Sequence, residues 1–240
     1  IAFALLGLFI LIRNKWVIFE YDKNCINHAM KFGVPLIPHA LGGMLITQTD
    51  RIFITNMVSV SETGIYTVGF QFGMILELLA SSFNRAYVPW LYRKLSENNI
   101  LTKIKIVKFT YAYFVAIFVL AAFIAFVSPW FLSYFVGEKF SVAYKYTTWI
   151  VFGFSFSGMY YMIANYIFYA NKTHILAVVT FITAMINIVF NYILIKMNGP
   201  IGAAQASALA FFVSFILTWI LSARVYKMPW NIFNADIRND

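Results

Sequence analysis

The sequence predicts an all-α, polytopic bundle of transmembrane helices, with six full spans and a partial one. Two observations carry that expectation. The chain is 62% hydrophobic and only 11% charged, whereas soluble domains are about 45–50% apolar and about 25% charged. Its apolar residues also fall in runs of about 20 or more, the length a helix needs to cross the hydrocarbon core. Such runs show no alternating polarity and exclude a β-barrel, and an isolated strand leaves its backbone unsatisfied in lipid.

The elements follow in order. Residues 1–12, "IAFALLGLFILI", read as the end of a helix. The chain opens inside this run without a Met, so a piece of a longer protein is expected. No basic segment or small-residue cleavage motif marks a signal peptide. Full spans are predicted at 32–56, 64–90, 107–127, 146–169, 175–195 and 200–225. Pro35 and Pro38 fall early in the first full span and predict a kink. The stretch "YRKLSENNILTKIKIVK" is basic with Leu101, Ile104 and Val107 interleaved. It reads equally as an interfacial segment or a solvated loop. "SPWFLSYFVGEKF" is aromatic-rich, as suits a headgroup boundary. The organisation expected is a helix end and cytoplasmic connecting loop over 1–31, a six-helix lobe over 32–226 and a cytoplasmic tail over 227–240.

Basic residues orient the bundle. On one side lie Arg13, Lys15, Lys23 and Lys31, then Arg85, Arg93, Lys94, Lys103, Lys105 and Lys108, then Lys172, Arg224, Lys227 and Arg238; on the other lie Lys139, Lys145 and Lys196. The positive-inside rule places the first set, and with it the C-terminus, in the cytoplasm. The net charge of +9 therefore reflects topology, and no nucleic-acid partner is expected. Cys25 is the single cysteine, which excludes an internal disulfide. His28, His39 and His174 share no ligand spacing, so neither metal nor cofactor is expected.

Charges inside the spans are costly and mark candidate sites. "ITQTDRIFITN" places Asp50 beside Arg51 in the first full span, on or near a stripe of His39, Gly43 and Thr47. Arg51 has two readings: an arginine snorkelling to the outer headgroups, or one lining a path. His39 reads as a hydrogen-bonded packing residue. In the second span Gly69, Gly73, Glu77 and Ser81 share a face, with Asn84 close to it. Glu77, at mid-depth, reads either as an acid lining a cavity or coupling an ion, or as a group hydrogen-bonded between packed helices. Arg85 lies near the cytoplasmic end of the same span. Thr180, Ala184, Asn187 and Asn191, and the run from Gly202 to Ser214, read as packing faces. No nucleophile–base pair, carboxylate pair or phosphate loop appears, and no large polar loop, so an enzyme is not expected.

Three stretches together resemble a known family. "FGVPLIPHALGGMLITQTDRIFITNMVSVSETGIYTVGFQFGMIL" is similar to the seventh and eighth helices of Wzx-type bacterial polysaccharide flippases. "FVGEKFSVAYKY" resembles their ninth-to-tenth connection, and "NIVFNYILIKMNGPIGAAQASALA" their eleventh-to-twelfth turn. The likeness runs from about residue 30 to 225. These flippases belong to the multidrug/oligosaccharidyl-lipid/polysaccharide exporter superfamily. The resemblance implies a parent of twelve helices in two lobes, of which this chain is the second. It implies a transporter in the bacterial cytoplasmic membrane that moves undecaprenyl-diphosphate-linked oligosaccharide outward by alternating access, for O-antigen, capsule or exopolysaccharide. Its partners would be that substrate, membrane lipid, the N-terminal lobe and other polysaccharide-assembly proteins.

On this resemblance Arg85 and Asn84, with Arg93 and Lys94 below, would receive the diphosphate at the cytoplasmic mouth. Arg51 would meet it higher up, with Asp50 holding or neutralising Arg51. The alternatives are a cation-coupled multidrug exporter of the same superfamily, a membrane enzyme of polysaccharide synthesis, and a scaffold whose charges only lock helices. Asp50, Arg51, Glu77 and Arg85 balance in charge, which does not suit a site for cations alone.

Overall fold

The computed structural model describes residues 2–14 and 22–231. Among these the regular structure is entirely helical: α1 (Ala2–Arg13), α2 (Lys23–Gly33), α3 (Leu36–Met57), α4 (Val60–Ser96), α5 (Ile100–Phe135), a 3-10 turn (Glu138–Ala143), α6 (Tyr144–Tyr169), α7 (His174–Asn198) and α8 (Ile201–Val225). Six stretches are long and apolar enough to cross a membrane: Lys23–Met57, Val60–Ser96, Ile100–Phe135, Phe140–Tyr169, His174–Asn198 and Ile201–Val225. The expected all-α multi-pass bundle is what forms.

Local chemistry sets the helix ends. Ser59 caps α4, its Oγ accepting from the Glu62 N–H at 3.1 Å, and Asn99 caps α5 by accepting from the Leu101 N–H at 2.8 Å. Asp22 caps α2, and the N–H groups it accepts, Asn24 foremost, hold its carboxyl below the usual range. Gly199, at φ 66°, ends α7 in a conformation that excludes most side chains, and Pro200 then starts α8.

Two boundaries differ from the sequence reading. Residues 23–31, read as loop, are helical, because Asp22 supplies a cap and nothing interrupts the helix before Gly33. The basic stretch 92–108 is neither an interfacial segment nor a loop: only residues 97–99 separate α4 from α5. Each of those helices is about 55 Å long at ~1.5 Å per residue, well beyond a ~30 Å core. Their basic residues thus ride on helix ends that project past the lipid. Pro35 sits at the junction of α2 and α3, where the sequence predicts a kink. Of the tail, residues 227–231 are described and 232–240 lie outside the described residues. The Tyr111 hydroxyl donates to the Trp230 carbonyl at 3.0 Å, which ties this end to α5.

Helix α6 is the centre, packed by α4, α5 and α8, while α7 sits between α3 and α8. Tyr66, Leu76, Leu91, Met162, Ile163 and Tyr166 form the fully buried interior. Gly69 and Gly73 let α4 lie against α6: a Cβ on Gly73 would stand 2.6 Å from Ile150 Cγ2. Phe123 and Phe126 of α5 and Phe181 of α7 are more than half exposed, as lipid-facing residues should be. α3 rests chiefly on α7 and α4 chiefly on α6. The two helices therefore part from the short turn at 58–59, and the gap between them is floored by α6 and α8.

Candidate functional site

Consecutive residues on a helix point about 100° apart, and this alone separates Asp50 from Arg51. Asp50 turns into the protein and is fully buried. Its carboxylate accepts from the Tyr66 hydroxyl at 2.5 Å, Ser207 Oγ at 2.6 Å and Asn191 Nδ2 at 2.9 Å. Asn187 Nδ2 donates in turn to Ser207 Oγ at 3.3 Å, and Asn191 Nδ2 to the Asn187 carbonyl at 3.0 Å. One carboxylate thus joins α3, α4, α7 and α8. Asn191 Oδ1 is buried there without a partner. The packing faces read on α7 and α8 meet at this junction.

Arg51 turns into the gap between α3 and α4. Its Nη1 donates to the Thr47 carbonyl at 2.9 Å and Gln48 Oε1 at 3.0 Å, its Nε to Thr67 Oγ1 at 3.3 Å, and its Cζ lies 4.5 Å from the Phe70 ring centroid. The guanidinium is half-buried, and its Nη2 has no partner among the described residues. The Asp50–Arg51 pair expected from the resemblance does not form; among the described residues the ion pair is Lys94–Glu97, at 2.6 Å. Nor does Arg51 extend away from the protein as a snorkelling side chain would.

The gap encloses a cleft of about 380 Å³, lined by Gly43, Thr47, Gln48 and Arg51 of α3, Phe70, Met74 and Glu77 of α4, Phe154, Ser157 and Tyr161 of α6, and Phe211 of α8. Glu77 faces Arg51 across it, about 10 Å further along α4 than Phe70. Tyr161 donates to Glu77 Oε1, and Glu77 Oε2 is buried without a partner. Glu77 is therefore both hydrogen-bonded to a packed helix and part of the cleft wall, which combines the two readings of the sequence. A second chamber of about 190 Å³ shares Gly43, Ser157, Tyr161 and Phe211 with the first and adds His39, Ala40, Ile46, Tyr160, Thr180 and Ser214. His39 is hydrogen-bonded as read, its Nδ1 lying 2.5 Å from Thr180 Oγ1.

The structure brings Arg51 and Glu77 to one cleft and leaves the other candidates elsewhere. Asn84 accepts from Asn165 Nδ2 at 2.8 Å on the α4–α6 contact. Arg85 is exposed, fifteen residues or about 22 Å beyond Phe70 along α4. Sequence reasoning missed Tyr66, Tyr161, Ser157 and Phe211. Their spacing within mostly apolar spans gives no signal, and they matter only through what α3 and α4 bring opposite them.

Comparison with known proteins agrees with this architecture. The family described as polysaccharide biosynthesis protein matches residues 1–95. An uncharacterised membrane protein of Haemophilus influenzae is 29% identical over 73% of this chain and 43% of its own length. A protein of the Lsg locus of the same organism is 23% identical over 82% of this chain and 50% of its own length. The chain thus spans about half the length of the curated relatives it matches. The crystal structure of the Vibrio cholerae MATE transporter VcmN in the bent form superposes with a TM-score of 0.62 at 16% identity, covering 89% of this chain and 50% of that one. The family match thus covers the first 95 residues, and the likeness to the MATE transporter structure shows a shared fold over most of the chain.

Proposed function

We propose that the chain is one lobe of a flippase that moves a polyprenyl-diphosphate-linked oligosaccharide to the outer face of the bacterial cytoplasmic membrane. The observation that carries this reading is Arg51. A guanidinium stands half-buried in an apolar bundle, held by three neighbours, over an aromatic ring, and with no carboxylate on it. A diphosphate crossing a low-dielectric layer needs such a group, because an unpaired anion there is very unfavourable. Arginine stays charged when buried and offers directed donors to phosphate oxygens. Its free Nη2 supplies two of them.

Glu77 takes a second part. An acid in the same cleft repels the diphosphate when ionised and not when protonated or cation-bound, which would couple substrate entry to an ion. Asp50, wholly internal, takes part in this coupling only through the packing of four helices. Arg85 and Asn84 lie toward the cytoplasmic end and form an outlying contact for the substrate on entry. The cavity is completed by the partner lobe of the longer protein, and the lobes alternate between inward and outward openings around it.

The test uses the full-length protein in a bacterial strain deprived of its own lipid-linked oligosaccharide flippase. Restored surface polysaccharide, with disappearance of the accumulated lipid-linked intermediate, is expected. Folded, membrane-inserted protein that leaves the intermediate in place but exports lipophilic cations would establish the multidrug reading instead, which Glu77 in the cleft favours.

A further inference from the structure

Helices α4 and α5 each pack chiefly on α6, so the seam between them is filled largely by side chains. At mid-depth the seam is a groove of about 320 Å³, walled by Leu76, Leu79 and Phe83 of α4 and by Ala116, Ile117 and Leu120 of α5. Leu79 and Ala116 are exposed at its lip. Toward the turn at 97–99 the groove gives way to a ladder of aromatic rings. Phe83 lies 4.9 Å from Tyr113, and Tyr87 lies 5.5 Å from Phe109 and 5.4 Å from Trp90, between ring centroids. Phe83, Trp90 and Phe109 stay more than one-third exposed.

Two basic residues stand beyond the ladder. Phe83 opposite Tyr113 and Tyr87 opposite Phe109 set the register of the two antiparallel helices. That register brings Lys105 level with residue 91, about 3 Å along the axis from Arg93. Arg93 lies fourteen residues from Leu79 and Lys105 eleven from Ala116, so each stands within about 40° of the groove's lip on its own helix. Both are exposed, and neither side chain has a hydrogen bond or ion pair among the described residues. The acid nearby, Glu97, is taken by Lys94, and Lys103 donates to Asn98 and lies over the Tyr226 ring. From Arg93 to Leu76 the seam runs about 25 Å, close to the depth of one leaflet with its headgroups, half of a ~40–45 Å bilayer. Two uncommitted cations at headgroup depth, aromatic rings beneath them and a carbon-walled groove at chain depth match one kind of molecule, with an anionic head and a long hydrocarbon chain.

We propose that the α4–α5 seam binds one anionic phospholipid from the leaflet on the basic side of the membrane, with its phosphate on Arg93 and Lys105 and an acyl chain in the groove. A lipid-linked substrate also carries phosphate and a chain, but the Arg51 cleft opens on another face of α4. Phe70, Met74 and Glu77, which line that cleft, stand about 120–180° round the helix from Phe83. The lipid site is therefore separate from the cleft and independent of the function given to it. A lipid seated there bridges α4 and α5 where the two helices lean on α6 more than on each other.

The experiment is native mass spectrometry of the purified full-length protein, delipidated in detergent and titrated with dioleoyl phosphatidylglycerol or dioleoyl phosphatidylethanolamine. Wild type should hold one phosphatidylglycerol about tenfold more tightly than the zwitterionic lipid, the preference expected of two basic side chains at a headgroup. Arg93→Gln combined with Lys105→Gln should bind the two lipids equally. The control pair Lys23→Gln with Lys31→Gln, equal in charge lost but on α2, should keep the preference. Ala116→Phe, which fills the groove from an exposed position, should weaken both lipids about tenfold. Equal binding of both lipids by wild type, a preference that survives loss of Arg93 and Lys105, a preference lost equally in the control pair, or undiminished binding by Ala116→Phe would each overturn the site. Undecaprenyl phosphate that displaces phosphatidylglycerol with higher affinity, and is weakened by the same variants, would overturn the phospholipid as its occupant.

Discussion

Asp50 and Arg51 are adjacent in sequence and serve different parts of the molecule: the carboxylate closes a buried junction of four helices, and the guanidinium enters the cleft beside them. The cost of placing two charges in one apolar span is met by two separate sets of hydrogen bonds, not by a salt bridge between them. Their substitutions should therefore fail in different ways.

Asp50→Ala strands three buried donors, those of Tyr66, Asn191 and Ser207. A loss of about 3 kcal/mol is expected. Thermal unfolding of the detergent-solubilised protein, followed by size-exclusion chromatography, should show a clearly lower midpoint and lower folded yield. An unchanged midpoint would mean that the junction is not structural.

Gly73→Leu should destabilise the lobe by about 1–3 kcal/mol by forcing α4 off α6, since even a Cβ there stands 2.6 Å from Ile150 Cγ2. Gly43→Ala, where a Cβ meets nothing within 4 Å, should leave the unfolding midpoint in place. The same thermal assay compares them directly.

Glu77→Gln keeps an acceptor for Tyr161 and removes the titrating carboxyl from the cleft wall. Folded yield should hold, transport should fall, and its dependence on pH should flatten. Export measured across a range of external pH checks this; a variant that follows the wild-type profile would make Glu77 a packing residue only.

Orientation is open to cysteine labelling after Cys25→Ser. Glu97→Cys, at the junction of α4 and α5, should react with a membrane-impermeant maleimide only after the cell is opened. Glu138→Cys, beyond α5, should react in intact cells. The reverse pattern would invert the topology taken from the basic residues.

Most of the architecture was legible because lipid imposes few solutions. Runs of apolar residues gave the six spans, and the stripe Gly69, Gly73, Glu77 gave the face of α4 that meets α6. Helix ends were less legible, since polar residues such as Lys103 and Lys105 continue α5 past the lipid and so resemble a loop. The site was read only in part. In-span charge picked out Asp50, Arg51 and Glu77 without saying which way each would point, because that depends on where α4, α7 and α8 stand around α3. Hydroxyl-bearing residues such as Tyr161 and Ser157 carry no sequence signal of a cleft, and the Asp50–Arg51 pairing drawn with the resemblance gives way to the 100° between neighbours on a helix, which turns the two side chains apart.

The central claim is that the Arg51 guanidinium receives an anionic group in the cleft. Surface polysaccharide per folded full-length transporter, compared for wild type, Arg51→Lys and Arg51→Ala, tests it most directly. Arg51→Lys, which keeps the charge and loses the directed donors, should be partly impaired, and Arg51→Ala nearly inactive, both at wild-type folded yield. Wild-type export by Arg51→Ala would contradict the account.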